Sequence, residues 1–346
     1  MFRFNKTLLL SHEQPPMLGG AGVIAETIYN SLKLSGLIDI NKPASYFRFG
    51  TARFIGVYYV IKALFYKNVI LNDLYYKKLW LFFFRSFFSS KCIIYLHGSE
   101  PEFLLGESKY SDLFIKTCIK SKKIVAVSNF MKEKFLNELS DENKRKLKNK
   151  IVVIKNGVDT NVFNGKDMSK PRNCLIIVSA SRLVFGKGYL ELADEIKKIS
   201  LSYSKPLRWY IAGEGPDEIA IREYVSSIGI SEITTFTGKL DKGSLAKLYK
   251  KAHFFILLSK LKESLGLVYM EASCCGCLSI GFSSFGVKEA IIDGETGLFI
   301  NNTSKLVELV NSQSINLDPL GISETSINIF SKENMINKIN HLLFAE

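Results

Sequence analysis

Short apolar runs bounded by turn residues recur along the chain, and stretches with helical spacing separate them. The first half carries "KTLLLS", "NVIL", "CIIYLHG", "KIVAVS" and "IVVIKNG", and the second half "CLIIVSASR", "RWYIAGEG", "ITTFTGKL", "HFFILLS" and "CLSIGF". Runs of Val, Ile and Leu without polar alternation are what parallel strands buried on both faces require. The pattern predicts an α/β chain of two doubly wound, Rossmann-like domains related by architecture and not by residue-level repetition. A polar stretch, "NGVDTNVFNGKDMSKPRN" (156–173), interrupts the apolar pattern, so the expected division is 1–168 and 169–330. The closing segment 331–346 predicts a helix, with Ser331 and Glu333 as capping residues. Met335, Ile336, Ile339, Leu342 and Leu343 form one stripe on it that some surface must receive.

At 346 residues with 47% hydrophobic composition, the chain is long enough for two cores and too apolar for disorder. The net charge of +13 is uneven. Residues 1–168 hold 26 Lys and Arg against 14 Asp and Glu (+12), whereas residues 169–346 hold 20 against 19 (+1). A basic first half suits nucleic acid, an acidic substrate or an anionic membrane face, and charge alone does not choose among them. No DNA- or RNA-binding module is recognisable, which disfavours nucleic acid. The start, "MFRFNKTLLLSHEQPP", lacks a signal-peptide pattern, so the expected location is cytoplasmic. "LWLFFFRSFF" (79–88) is half the length of a membrane span. Flanked by Lys77, Lys78 and Lys91, it fits a helix lying in a membrane interface, and a buried helix explains it equally well. The cluster "CCGC" (274–277) lacks zinc-finger spacing and reads as buried small residues, with no metal expected.

Ligands of open α/β sheets bind beyond the carboxyl ends of the strands. There "ESLGLVYMEA" (263–272) sets two glutamates eight positions apart around Gly266, where a helix would begin. The amides of Gly266, Leu267 and Val268 at such a start form an anion site suited to a diphosphate. Glu263 in the preceding loop and Glu271 one turn further in would flank that anion. Carboxylates repel phosphate unless they bind something else, and the vicinal hydroxyls of sugars are natural partners. Arg182 and Lys187 in "SRLVFGKG" supply the balancing positive charge. Two sugars flanking a diphosphate describe a nucleotide sugar.

Read in order, "GGAGVIAETIYNSL", "HGSE", "VSNFMKEKF", "IKNGVDTNVF", "SASRLVFGKGYLEL", "YIAGEGPDE", "FTGKL", "ESLGLVYMEASCCG" and "FGVKEAIIDGETGLFI" together resemble the retaining GT-B glycosyltransferases of glycosyltransferase family 4. The resemblance implies two Rossmann-like domains facing across a cleft, with the helix at 331–346 crossing back to the first. It assigns Arg182 and Lys187 to the diphosphate, Glu263 to the hydroxyls of the transferred sugar and Glu271 to the ribose, with backbone amides from Gly266 to Val268. The backbone around Gly238 and Leu240 would lie near the base. Gly19 and Gly20, in the glycine loop, would approach donor and acceptor, and His97 would lie near the reacting centre. Ser128 reads first as a helix cap and second as an acceptor contact.

The expectation is a metal-independent, retaining hexosyltransferase with no cofactor. It would move a sugar from a nucleotide-sugar, a UDP-sugar first, to a glycan or lipid-linked acceptor in bacterial surface polysaccharide (lipopolysaccharide O-antigen or capsule) assembly. The place would be the inner face of the cytoplasmic membrane, in peripheral contact with anionic lipid. Two alternatives remain: a non-catalytic, membrane-associated nucleotide-sugar-binding protein, and an epimerase of the same fold. "GEGPDE" is not a dinucleotide fingerprint, because Glu218 stands where the third glycine belongs. Two departures from the family pattern stand out. "SKLKE" puts three residues between Ser259 and Glu263 where two are usual, and Ala252-His253 replaces a common Ala-Asp pair.

Overall fold

The computed structural model describes residues 3–13, 20–41, 52–105, 109–313 and 318–344. They fall into two compact units, Met1–Asn156 with Met335–Glu346, and Gly157–Asn334.

The strands of the first unit are β1 (Arg3–Leu10), β2 (Ile38–Ile40), β3 (Tyr66–Leu71), β4 (Cys92–Leu96), β5 (Lys123–Ala126) and β6 (Ile151–Val153). They form one sheet in the order β2-β1-β3-β4-β5-β6, parallel throughout. Alternate side chains enter different cores: Leu8 and Leu10 join Val69, Leu71, Ile94 and Leu96 in one, while Leu9 joins Ile70, Ile93 and Tyr95 in the other. This two-sided burial is why the runs carry no polar alternation. The last helix, Lys332–Phe344, brings Met335, Ile336, Ile339 and Leu343 into that second core beside Leu9, Ile24 and Ile28. Each such side chain contributes about 1.5–3 kcal/mol, enough to make the helix part of this unit.

The second unit holds β7 (Leu175–Ala180), β8 (Leu207–Ala212), β9 (Thr234–Gly238), β10 (Phe254–Ile256), β11 (Leu278–Phe282) and β12 (Gly297–Ile300). Their order is β12-β11-β10-β7-β8-β9, again parallel. In each sheet the order reverses beside the unit's first strand, between β1 and β3 in one and between β7 and β10 in the other. Those reversals are where doubly wound sheets open crevices for ligands. His253 has a structural use here: its Nδ1 accepts the backbone N–H of Ile176 in β7 at 3.1 Å. Burial lowers its pKa to about 4, which keeps that nitrogen an acceptor.

The aromatic segment 79–88 is partly buried and partly exposed. In the helix Leu74–Phe84, Tyr76, Lys77, Trp80 and Leu81 are buried and Phe82 is 69% exposed, and Phe87, in the turn beyond the helix, is 67% exposed. The expectation that Lys77 and Lys91 are outward-facing flanks is corrected. Lys77 is 1% exposed and ion-paired with Glu100. Lys91 Nζ donates to the carbonyl oxygens of Ala63, Leu64 and Tyr66. Both are spent on internal acceptors, while Lys78, half-buried like Lys91, sets its Nζ over the Phe103 ring at 5.5 Å. The cysteines of "CCGC" are buried in the second unit's core.

Candidate functional site

The two sheet reversals each carry a group of polar side chains, one per unit. In the second unit, the loop after β7 leads through Arg182 to the short turn Phe185–Lys187, and the loop after β10 runs from Ser259 to Gly266. The two loops are tied by Lys260 N–H donating to Gly186 O at 2.9 Å. Lys187 Nζ is ion-paired with Glu263 Oε1, and Ser259 Oγ donates to the same oxygen at 2.7 Å. The three-residue spacing therefore still brings serine and glutamate together. Gly286 N–H donates to Glu263 O at 2.9 Å, and a Cβ at Gly286 would stand 2.3 Å from Ser264 O, so that position tolerates no side chain. Arg182 is exposed and makes no side-chain bond to a described residue.

Gly266, at φ +92°, turns the chain into the helix Leu267–Cys274. That left-handed conformation is costly for any residue with a Cβ. No side chain caps this helix, and Leu267 and Val268 are only half-buried. Its first amides thus present an uncapped, positively polarised end. Glu271 lies on the same helix. Burial pushes its carboxyl up to about 7, opposed weakly by Lys242. Gly238, at φ +69°, ends β9, and Leu240 packs against the core two residues on.

In the first unit, Gly20 is the first residue of the helix Gly20–Leu32, and Gly19 lies outside the described residues. The start of this helix is already served by a carboxylate, Glu13 Oε2 accepting from Gly22 N–H at 3.1 Å. The two helix starts therefore differ: one is neutralised internally and the other is open. Ser128 is buried and caps the helix Asn129–Asn137, its Oγ accepting from Met131 N–H at 3.0 Å.

His97 stands just beyond β4, half-buried, with Nε2 3.0 Å from Asn72 Oδ1. Burial, then Lys77, lower its pKa to about 4, against the opposite pull of Glu100 and Asp73. Glu100 is buried, which raises its pKa, but Lys77, His97 and backbone donors more than offset this and hold it below its ordinary value. Asn72, Asp73 and Glu100 are absent from the sequence reading, which takes Lys77 as a flanking charge and Ser259 as a spacing marker only. A signal for Lys77 existed: it precedes Trp80 and Leu81 by three and four positions, on the helix face that must be buried.

Comparison with known proteins adds to this geometry. Residues 164–314 match the family model for glycosyl transferases group 1. An uncharacterised glycosyltransferase of Methanocaldococcus jannaschii is 30% identical over 230 residues, 64% of this chain and 59% of that protein. The N-acetyl-alpha-D-glucosaminyl L-malate synthase of Bacillus anthracis is 26% identical over 212 residues, 60% of this chain and 53% of that protein. The matched stretches thus span little more than half the length of these relatives. Among solved structures, Anabaena HepE in complex with UDP and glucose superposes with a TM-score of 0.71 at 16% identity, covering 99% of this chain and 100% of that one. The family match falls on the unit that holds Arg182, Lys187, Glu263 and Glu271, and the structural match is one of fold, an α/β chain of two units each built on a parallel six-stranded sheet.

Proposed function

We propose that the chain is a retaining glycosyltransferase that moves a sugar from a nucleotide-sugar, a UDP-sugar first, to a hydroxyl of a glycan acceptor. The observation that carries this reading is the uncapped start of the helix Leu267–Cys274, set beside Lys187 and Glu263 with Glu271 one turn further in. Phosphate oxygens accept from the free amides and from Arg182 and Lys187. Glu263 and Glu271 accept from the hydroxyls of the transferred sugar and the ribose. The bond from the sugar's anomeric carbon to the phosphate breaks, and the acceptor oxygen bonds to that carbon on the same face. Its proton passes to the leaving phosphate. The cations and amides stabilise that leaving charge without a metal ion. A thermal-shift panel of UDP-, GDP- and ADP-sugars, followed by assay of nucleoside diphosphate release with glycan acceptors, tests the reading. Transfer supports it; binding without turnover would favour the non-catalytic alternative, and interconversion of free nucleotide-sugars the epimerase.

Glu271 ties the donor's affinity to pH. Its carboxyl must ionise to accept two hydroxyl bonds, and its raised pKa of about 7 makes that a cost below neutrality. A UDP-sugar should bind about tenfold more weakly at pH 6 than at pH 8, the ratio of ionised fractions for one carboxyl titrating at 7. Calorimetry checks this. Glu271→Gln should bind more weakly at pH 8 and show no such slope, whereas a wild-type affinity that is flat with pH removes the ribose assignment.

We further propose a lipid-linked acceptor in bacterial surface polysaccharide assembly, met at the inner face of the cytoplasmic membrane. Among the described residues no helix is long and apolar enough to cross a membrane. Phe82, Phe83, Phe87 and Phe88 are exposed on the basic first unit, with Lys120 Nζ over the Phe87 ring at 5.8 Å. Aromatic rings with lysines beside them suit an anionic lipid interface. The double variant Phe82→Ser, Phe87→Ser should lose at least about tenfold in flotation with anionic vesicles, given about 1.5–3 kcal/mol per buried phenyl ring. Flotation of the wild type without preference for anionic lipid contradicts the membrane reading.

A further inference from the structure

Behind His97 lies a buried polar network with no role assigned so far. Asn72 is 0% exposed and its whole amide is engaged. Its Nδ2 donates to Ser11 Oγ at 3.1 Å and to Ala21 O at 2.9 Å, and its Oδ1 lies 3.0 Å from His97 Nε2. Turning the amide over would set its oxygen against the Ala21 carbonyl with no hydrogen between them, so the orientation is settled by the partners. An amide oxygen only accepts, hence His97 Nε2 carries the hydrogen. In a neutral imidazole that leaves Nδ1 as the bare acceptor, and no described residue donates to it.

The main chain of His97 is held as firmly. Glu100 Oε2 accepts from the N–H groups of His97 and Gly98, each at 3.0 Å. Its other oxygen pairs with Lys77 Nζ, which also donates to Asn72 O at 2.8 Å. Asn72 thereby links the ends of β1 and β3, the start of the helix Gly20–Leu32 and the histidine after β4, beside the sheet's reversal. Lys77, Glu100 and Asp73 are the charged groups that face the ring, and Tyr95 stacks near it at 5.7 Å between centroids.

We propose that Asn72 is a positioning residue: it fixes His97 as the Nε2–H tautomer, so that Nδ1 accepts a hydrogen bond from a substrate hydroxyl, while Lys77 and Glu100 hold the loop that carries the ring. This rests on the transferase reading only for the identity of the hydroxyl. A bare Nδ1 favours a neutral hydroxyl donor at this position and disfavours a phosphate or carboxylate, which offers it no hydrogen. The site therefore selects against anionic groups where the acceptor meets His97.

Long-range proton–nitrogen NMR of the full chain at pH 7 tests the tautomer directly. The chain has 4 histidines, and His97→Gln identifies the signals of His97. The wild type should show a neutral ring with the hydrogen on Nε2. Asn72→Ala should give a mixture of tautomers. In transfer assays Asn72→Ala should lower kcat at least tenfold with donor KM little changed. A charged ring, an Nδ1–H ring, or a ring in Asn72→Ala like that of the wild type overturns the proposal whatever the activity. The expected spectra with unimpaired turnover in Asn72→Ala also overturn it. The expected spectra in a protein that transfers no sugar would support Asn72's control of the tautomer and defeat the transferase reading instead.

Discussion

On the proposed transferase reading, Lys187→Ala should lower kcat/KM for the nucleotide-sugar by about 10²–10³, the usual cost of removing one donor aimed at developing charge. Lys187 Nζ is only partly exposed and held by Glu263 at the reversal of the second sheet. Held in this way, the ammonium is oriented before any phosphate arrives, so little is lost in arranging it at the moment of bond cleavage. The same geometry predicts competition: a phosphate must share the ammonium with Glu263, which is then released to take up hydroxyls of the sugar. Lys187→Arg should recover part of the activity, since the charge remains but its shape changes. Stability should move by less than about 1 kcal/mol, because the pair is partly solvated. Steady-state kinetics with urea denaturation of both variants checks this. A Lys187→Ala enzyme within threefold of wild type contradicts the diphosphate role.

Lys77→Met destabilises the first unit by about 3–5 kcal/mol, the cost of stranding one member of a buried ion pair. Lys77 and Glu100 are each 1% exposed. Removal of the ammonium leaves a carboxylate that keeps only the two backbone donors of the His97–Gly98 segment. Adding Glu100→Gln should restore most of the loss, because the remaining amide carries no charge to desolvate. Urea unfolding of both variants followed by Trp80 fluorescence measures the difference. A single-variant loss below about 1 kcal/mol would mean that the pair is hydrated in solution.

Both effects trace back to features of differing legibility in the sequence. Ten strands are legible because each is a run of apolar, aromatic or β-branched residues closed by a turn. The two that are not, β2 at Ile38–Ile40 and β12 at Gly297–Ile300, are each at one edge of a sheet, but so are β6 and β9, so composition and not edge position hid them. β2 has an aspartate at its centre and β12 begins with glycine, so neither reads as a continuous apolar run. The stripe of the last helix was legible for the opposite reason, since Met335, Ile336, Ile339 and Leu343 repeat at helical spacing and all four are buried.

The second unit's polar group was legible because its residues cluster within two short loops. The network behind His97 was not: Asn72, Lys77 and Glu100 come from three segments, and only the β3/β4 side of the sheet brings them together. Lysines beside an aromatic helix read naturally as surface charge, yet Lys77 shares the helix face of Trp80 and Leu81. Periodicity, applied to the charged residue as strictly as to its apolar neighbours, would have placed it inside.

The most direct measurement is a crystal structure of the chain with a UDP-sugar bound. The account predicts diphosphate oxygens within hydrogen-bond reach of the Leu267 and Val268 amides, with the ribose diol on Glu271 and the transferred sugar on Glu263. Density for the ligand away from the start of the helix Leu267–Cys274 would contradict it, as would both carboxylates facing solvent beside a bound donor.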